Sequence, residues 1–355
     1  MGVKGEWRMK LLSERFGLKN KTFIIAELSA NHGHDIEVAK KTIQAAYESG
    51  ADAIKIQTYT ADTLTIDSDK EYFKIDSGTI WDGRTLYDLY QEAYTPWEWH
   101  KELKEYAEGL GLIFFSTPFD NTAVDLLEDL EVPIYKVASF EILDIPLIEY
   151  IASKGKPMIV STGIAELADI EAAVNAIKKC GNQEIILLKT TSSYPAKTED
   201  ANLETMRNMK DTFGVEVGAS DHTQDNIVPM VSVALGGTVI EKHFVLEREI
   251  GGPDASFSLT PEEFKEMVRC VREAEKSLGK VDYSINETKK NNRKLSRSLF
   301  FTENMEKGDV ITEKNVRSIR PGDGLEPKYL PDIMGRKVTK EIERGTPVGW
   351  KWIDL

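Results

Sequence analysis

Two histidines set the chemical question. His222 ends the motif Ser220-Asp221-His222 and His243 ends Glu241-Lys242-His243, in a chain with only five His. Each follows a short apolar, β-favouring run, residues 215–219 and 238–240, and Gly251-Gly252-Pro253-Asp254 lies just beyond. If those runs are neighbouring parallel strands, both imidazoles emerge at one sheet edge. Such a pair can hold a divalent cation and leave positions open for substrate or water. Two unrelated His closing strand ends are the alternative. Other apolar runs end in polar groups too: Glu27, Lys55, Gln57, Thr117, Lys136, Ser139, Ser161, Lys189 and Ser220. Two Lys among Ser and Thr hydroxyls make a pocket for phosphate or carboxylate. Lys55 and Lys136 weigh most, because each lies in or at the end of an apolar strand, where an ammonium without an anionic partner is costly. Glu27 offers an acid, a base or a group that orients water.

This inventory suits a small phosphorylated carboxylic acid meeting a carbonyl compound over a metal ion, as in an aldol-type condensation. Lys136 as a Schiff-base nucleophile would use lysine differently. The His pair favours the metal route, with the ion polarising the carbonyl as Lewis acid.

The elements that must position these groups follow from the pattern. Apolar runs at 23–26, 53–57, 112–115, 134–137, 157–160, 184–189, 215–219 and 238–242 alternate with amphipathic helical stretches. Eight such strands predict a closed parallel (β/α)8 TIM barrel, whose site lies at the C-terminal strand ends. A doubly wound open sheet is the second choice, but no Gly-rich nucleotide turn follows the first strand. Residues 58–95 interrupt the rhythm with a polar, aromatic segment, long enough to carry function or cover a site. Before the barrel, residues 1–21 read as a loosely structured lead-in. After it (22–278), residues 279–293 read as a polar linker. Residues 294–355, punctuated by Gly and Pro, read as a small β-rich domain. So short a domain has little core of its own, which predicts docking or oligomerisation.

The bulk numbers exclude other classes. The 355 residues carry a net charge of −14, and residues 294–355 hold 12 Lys/Arg against 10 Asp/Glu, so the acidic excess lies in the barrel. That argues against a nucleic-acid or anionic-membrane partner. Two Cys make neither a disulfide framework nor a zinc ligand set. The N-terminus has no apolar signal core and no run approaches the ~20 residues of a membrane span, so a cytoplasmic protein is expected.

Taken together, the motifs resemble the sialic acid synthase (NeuB-type) family, which joins phosphoenolpyruvate to an N-acetylated amino sugar. The matching pieces, in order, are Ala26-Glu27 with Asn31-His32-Gly33, Lys55-Ile56-Gln57, Ser116-Thr117-Pro118-Phe119-Asp120, Lys136-Val137-Ala138-Ser139, Ser161-Thr162-Gly163, Thr190-Thr191 with Tyr194-Pro195, Ser220-Asp221-His222, Glu241-Lys242-His243-Phe244 and Gly252-Pro253-Asp254. The C-terminal part resembles the family's SAF (antifreeze-like, β-clip) domain, best at Asn315-Val316-Arg317-Ser318-Ile319-Arg320-Pro321-Gly322. The resemblance spans about residues 22–353. It implies His222 and His243 as metal ligands for Mn²⁺ or Mg²⁺, with Co²⁺ also suitable. It implies Lys55, Thr117, Lys136, Ser139, Ser161 and Ser220 as the phosphoenolpyruvate cradle. Gln57, Tyr194 and Asp254 become sugar contacts, and Glu27 the group that orients or deprotonates the attacking water. It implies a domain-swapped homodimer, with the SAF domain capping the partner's barrel and Arg320 reaching the partner's sugar site.

Within the family, Gly78-Thr79-Ile80-Trp81-Asp82-Gly83-Arg84-Thr85-Leu86-Tyr87-Asp88-Leu89-Tyr90, with Ala93-Tyr94-Thr95-Pro96-Trp97-Glu98-Trp99, resembles the pseudaminic acid synthase branch. After Asp254 the stretch Ala255-Ser256-Phe257-Ser258-Leu259 replaces the His-Lys pair of the sialic acid branch. A less polar pocket suits a 6-deoxy sugar, so the expected acceptor is 2,4-diacetamido-2,4,6-trideoxy-L-altrose and the product pseudaminic acid. N-acetylneuraminate or legionaminate synthesis is the alternative. The aromatic insertion could touch the sugar, or be only a packed lid or dimer contact. His32 could touch the site or be a loop His held by a backbone group. Asp221 could orient an imidazole or cap a helix. From other classes come a carbohydrate-binding SAF module on a non-catalytic barrel, and a metal aldolase that uses pyruvate itself.

Overall fold

A computed structural model describes residues 11–18, 21–76, 78 and 80–354 of the protein. The chain divides into two compact units, Met1–Gly279 and Lys280–Leu355.

In the first unit eight strands close a parallel barrel in sequence order: β1 (Phe23–Glu27), β2 (Ala53–Thr58), β3 (Ile113–Pro118), β4 (Tyr135–Val137), β5 (Met158–Ser161), β6 (Ile185–Thr190), β7 (Glu216–Asp221) and β8 (Val239–His243). Strand β8 pairs back onto β1, which rules out the open sheet. Side chains alternate between the two faces of a strand, and the sequence uses both. Ile24, Ala26, Ile54, Ile56, Tyr135, Val137, Leu187 and Ile240 face the helices in the outer core. Phe23, Ile25, Ala53, Phe115, Ile134, Ile159, Ile186, Leu188 and Val239 fill the barrel interior. The next inward positions toward the C-terminal ends are Glu27, Lys55, Gln57, Thr117, Lys136, Ser161, Ser220, Glu241 and His243. The barrel is therefore an apolar plug with a polar layer stacked on it. Gly218 occupies an inward position where a Cβ would lie 2.2 Å from the Val239 carbonyl oxygen.

Three expectations are corrected. Within the stretch read as a loose lead-in, residues 1–10, 19 and 20 lie outside the described residues, but Leu11–Arg15 form a helix. Its Leu12 is buried in the barrel's inner core, with Leu11, Phe16 and Leu18 packed against it. Polar composition masked that single apolar face. Lys189 shares parity with outward-facing Leu187, so its ammonium lies on the outer face and donates to the Thr190 carbonyl at 3.0 Å. It is not part of the interior set. Within the stretch read as linker, Glu287–Arg293 form a helix with Asn286 as N-cap, an Asn cap and Lys/Arg-rich last turn being ordinary helix signals.

The second unit contains an antiparallel pair, β9 (Ser298–Phe301) and β10 (Val316–Ile319). It also builds a core: Leu299, Phe301, Met305, Ile311, Val316, Ile333, Val338, Ile342, Val348 and Ile353 are buried together. Leu299 and Phe301 belong to the mostly apolar run Ser298–Phe301, but most of the others are spread singly, so no run in the sequence announces them. No helix among the described residues is long and apolar enough to cross a membrane.

Candidate active site

The polar layer is a closed charge network. Lys55 Nζ lies 2.6 Å from Glu27 Oε2 and donates to Thr117 Oγ1 at 3.1 Å. Lys136 Nζ lies 2.9 Å from Glu241 Oε1, which also accepts from Ser220 Oγ at 3.2 Å and stands 4.0 Å from Lys55. All four charged groups are under 5% exposed. Two ammoniums and two carboxylates held this deeply survive because each has an opposite partner. Burial raises the Glu27 carboxyl against the pull of Lys55. Burial also pushes Glu241 upward, but Lys136 and Lys55 outweigh it and hold it at about 2. Burial lowers the Lys136 ammonium despite Glu241. Gln57 Nε2 donates to Glu27 Oε1 at 3.0 Å and to Ser29 Oγ at 2.9 Å, which fixes the carboxylate's orientation.

Next to the lysines lie hydroxyls. Ser139 Oγ accepts the Gly163 N–H at 3.1 Å. Gly163 allows this approach: a Cβ there would lie 2.0 Å from Ser192 Oγ and 2.9 Å from Ser139 Oγ. The hydroxyls of Ser161 and Ser192 and Oε2 of Glu241 are buried with no hydrogen-bond partner among the described residues. The two hydroxyls are places for a ligand's oxygens or water, whereas the ionised Glu241 oxygen takes only a donor such as water. Two ammoniums among hydroxyls fit a phosphate or carboxylate.

The two imidazoles stand at the ends of β7 and β8, ring centroids 5.3 Å apart. His222 Nδ1 donates to the Thr191 carbonyl at 2.8 Å, so its Nε2 carries the lone pair. His243 Nδ1 is buried without a hydrogen-bond partner and lies 3.8 Å from Asp254 Oδ2. Burial first, then for His243 the neighbouring His222 and the lysines beyond it, disfavours the charged rings: His222 is lowered to about 4 and His243 well below its ordinary value. Neutral imidazoles with open lone pairs fit a divalent ion. Among the described residues no third His, Cys, Asp or Glu completes a metal cluster, so the remaining positions would fall to water and substrate, as in an open site.

Asp221 caps no helix, and among the described residues it makes no direct hydrogen bond to an imidazole. It pairs with Lys242 at 2.7 Å, both side chains almost fully buried, and the two residues face each other across β7 and β8. Asp221 also accepts from Thr223 N (2.9 Å) and Oγ1 (3.0 Å), while Lys242 donates to the Thr223 and Asp225 carbonyls. This pair sits on the outer face, directly behind His222 and His243, and locks the register that sets their separation.

Around the imidazoles the wall is aromatic. Tyr194 lies 4.4 Å from His222 and 5.1 Å from Phe257, and Phe257 lies 5.0 Å from His243. Trp81 of the insertion joins at 5.5 Å from Tyr194 and donates through Nε1 to the Pro253 carbonyl at 3.0 Å. The polar groups beside this wall are Asp254, Ser29, whose hydroxyl donates to Asp254, and Gln57, which donates to Ser29. His32 is buried, lowered to about 4 by burial, and ties the β1 loop to the insertion's end: Nδ1 accepts from His34 N at 3.1 Å, and Nε2 meets Thr95 Oγ1 at 3.3 Å.

The structure thus gathers Glu27, Lys55, Gln57, Thr117, Lys136, Ser139, Ser161, Tyr194, Ser220, His222, His243 and Asp254 at one barrel mouth. Arg320 belongs to the second unit and is not among these strand-end groups. Sequence reasoning gave no role to Glu241 or Lys242, and named Phe257 only within a stretch that makes the pocket less polar. The signal for Glu241 was present: a carboxylate two residues before His243 in a strand shares its face.

Residues 42–283 match the NeuB family and residues 296–353 the SAF domain. The chain belongs to the NeuB family. As a member of that family it is an enzyme, and its relatives are synthases. It is 46% identical over 330 residues to the pseudaminic acid synthase of Campylobacter jejuni subsp. jejuni serotype O:23/36, covering 93% of this chain and 96% of that one. Identity to the N,N'-diacetyllegionaminic acid synthase of Legionella pneumophila is 36%, covering 94% of both. Among solved structures, an N-acetylneuraminic acid synthetase from Leptospira borgpetersenii superposes with a TM-score of 0.68 at 32% identity, covering 77% of this chain and 90% of that one.

Proposed function

We propose that this NeuB-family enzyme condenses phosphoenolpyruvate with 2,4-diacetamido-2,4,6-trideoxy-L-altrose and water to give pseudaminic acid and phosphate. The observation that carries the choice within the family is where the branch-like segment falls: the insertion holding Trp81 reaches the wall beside the imidazoles. The higher identity to a pseudaminic acid synthase, 46% against 36% for a legionaminic one, supports the same choice.

Each residue has a part in that reading. Lys55 and Lys136, with Thr117, Ser139, Ser161 and Ser220, bind the phosphate and carboxylate of phosphoenolpyruvate. A divalent ion on His222 and His243, with Mn²⁺ or Mg²⁺ as the first choices and Co²⁺ also suitable, would polarise the acceptor's open-chain aldehyde. Gln57, Tyr194 and Asp254 hold the sugar so that the enol carbon meets the aldehyde. That attack leaves an oxocarbenium at the neighbouring, phosphate-bearing carbon; Glu27, raised by burial, orients the water that adds there and takes its proton. The tetrahedral adduct then loses phosphate by C–O cleavage. Lys136 and Lys55 meet the charge of the departing phosphate. The proposal extends to a cytoplasmic homodimer in which Arg320 of one copy serves the sugar site of the other, as the family resemblance implies.

The test is stoichiometry. With Mn²⁺, phosphoenolpyruvate and the trideoxy sugar, phosphate and a nine-carbon acid seen by mass spectrometry should appear one for one, and EDTA should stop both. Condensation from pyruvate without phosphate release would replace this reading with a metal aldolase.

A further inference from the structure

We propose that Trp81 determines acceptor specificity by taking the apolar, deoxygenated end of the sugar; the inference rests on the proposed function. The sequence left the insertion as a sugar contact, a packed lid or a dimer contact. The geometry points to the first. The aromatic rings form a continuous wall that starts at the two imidazoles, continues through Tyr194 and Phe257, and is joined by Trp81 at 5.5 and 6.5 Å from those two rings. With the aldehyde at the imidazoles, the first carbons of the acceptor lie beside Tyr194 and Phe257. The far end of a six-carbon chain then lies further along the wall, beside Trp81.

The indole's chemistry fits only one kind of group there. Its N–H is engaged by the Pro253 carbonyl at 3.0 Å, so what it offers the sugar is ring surface. A methyl or an acetamido methyl packs on such a surface. A hydroxyl pressed against it loses water without a new partner. The same hydrogen bond fixes the indole to the turn carrying Asp254, whose carboxylate accepts from Ser29 on the polar side. The polar groups of the acceptor therefore have Ser29, Gln57 and Asp254, and its apolar end has Trp81. Discrimination from a pocket of this kind is worth about ten- to a hundred-fold.

The experiment uses the full chain with Mn²⁺ and measures steady-state constants for both substrates. Trp81→Ala should raise KM for the trideoxy sugar about ten-fold or more while KM for phosphoenolpyruvate stays within about two-fold, with Trp81→Phe recovering most of the loss. Trp81 is a partly exposed loop residue, and a melting curve checks that each variant is folded. An unchanged acceptor KM overturns the inference. So does a joint rise in both KM values, which marks a lid rather than a specificity group. Failure of the wild-type enzyme to turn over the trideoxy sugar is a different result, read without any variant. It overturns the proposed function and takes this inference with it.

Discussion

At the scale of single residues, the site is defined by charges that would not be there for stability. Lys136 and Glu241 are each under 5% exposed and face each other at 2.9 Å. Removing one partner of such a pair costs about 3–5 kcal/mol, whereas replacing both by apolar groups is often neutral or favourable. Glu241→Gln should therefore lower the unfolding free energy by about 3 kcal/mol in urea titrations. The double variant Lys136→Met with Glu241→Met should regain most of it and still have no activity. Equal destabilisation by single and double variants would mean that the pair is structural. Most of this layer was legible in the sequence, because a Lys or Glu inside an apolar run must have a reason. Glu241 went without a role because its partner lies 105 residues away, and only the register of the closed barrel brings the two together. Lys189 failed the other way: it also lies at a strand end, but its parity puts it on the outer face.

At the scale of elements, β7 and β8 act as one unit. The Asp221–Lys242 pair bridges their outer faces at matched positions while His222 and His243 project at the C-terminal ends. Breaking groups that position metal ligands typically costs ten- to a hundred-fold in affinity. Lys242→Met should weaken Mn²⁺ binding by about that factor in EPR titrations of the free enzyme, and it should also destabilise the fold by stranding Asp221. Adding Asp221→Asn should restore stability but not affinity. Recovery of both together would show that the pair positions nothing. The barrel strands could be read from periodicity alone, since eight apolar runs alternate with helices. The helix Leu11–Arg15 could not, for it is five residues long and contributes chiefly through Leu12. The insertion was visible as an interruption, but not the destination of Trp81, which depends on a hydrogen bond to a residue 172 positions away.

For the whole molecule, the two units have separate cores, and the proposed dimer makes a claim that mixing can test. Arg320→Ala and His222→Ala should each be nearly inactive alone. Denatured and refolded as an equal mixture, statistical pairing yields active sites at about a quarter of the wild-type number if Arg320 acts across a two-fold dimer. No recovery on mixing would place Arg320 in its own chain's site or outside the reaction. The division into barrel and small β-rich domain was legible from the polar stretch at 279–293. Most of the small domain's buried apolar core was not, because outside Ser298–Phe301 those side chains sit largely one at a time.

The identity of the acceptor separates this enzyme from the other branches of its family. Phosphate release from phosphoenolpyruvate should be followed with Mn²⁺ for 2,4-diacetamido-2,4,6-trideoxy-L-altrose, the legionaminic precursor and N-acetylmannosamine, side by side. The altrose sugar should give the highest kcat/KM, with no release once EDTA is added. A higher kcat/KM with N-acetylmannosamine or the legionaminic precursor would contradict the proposed function.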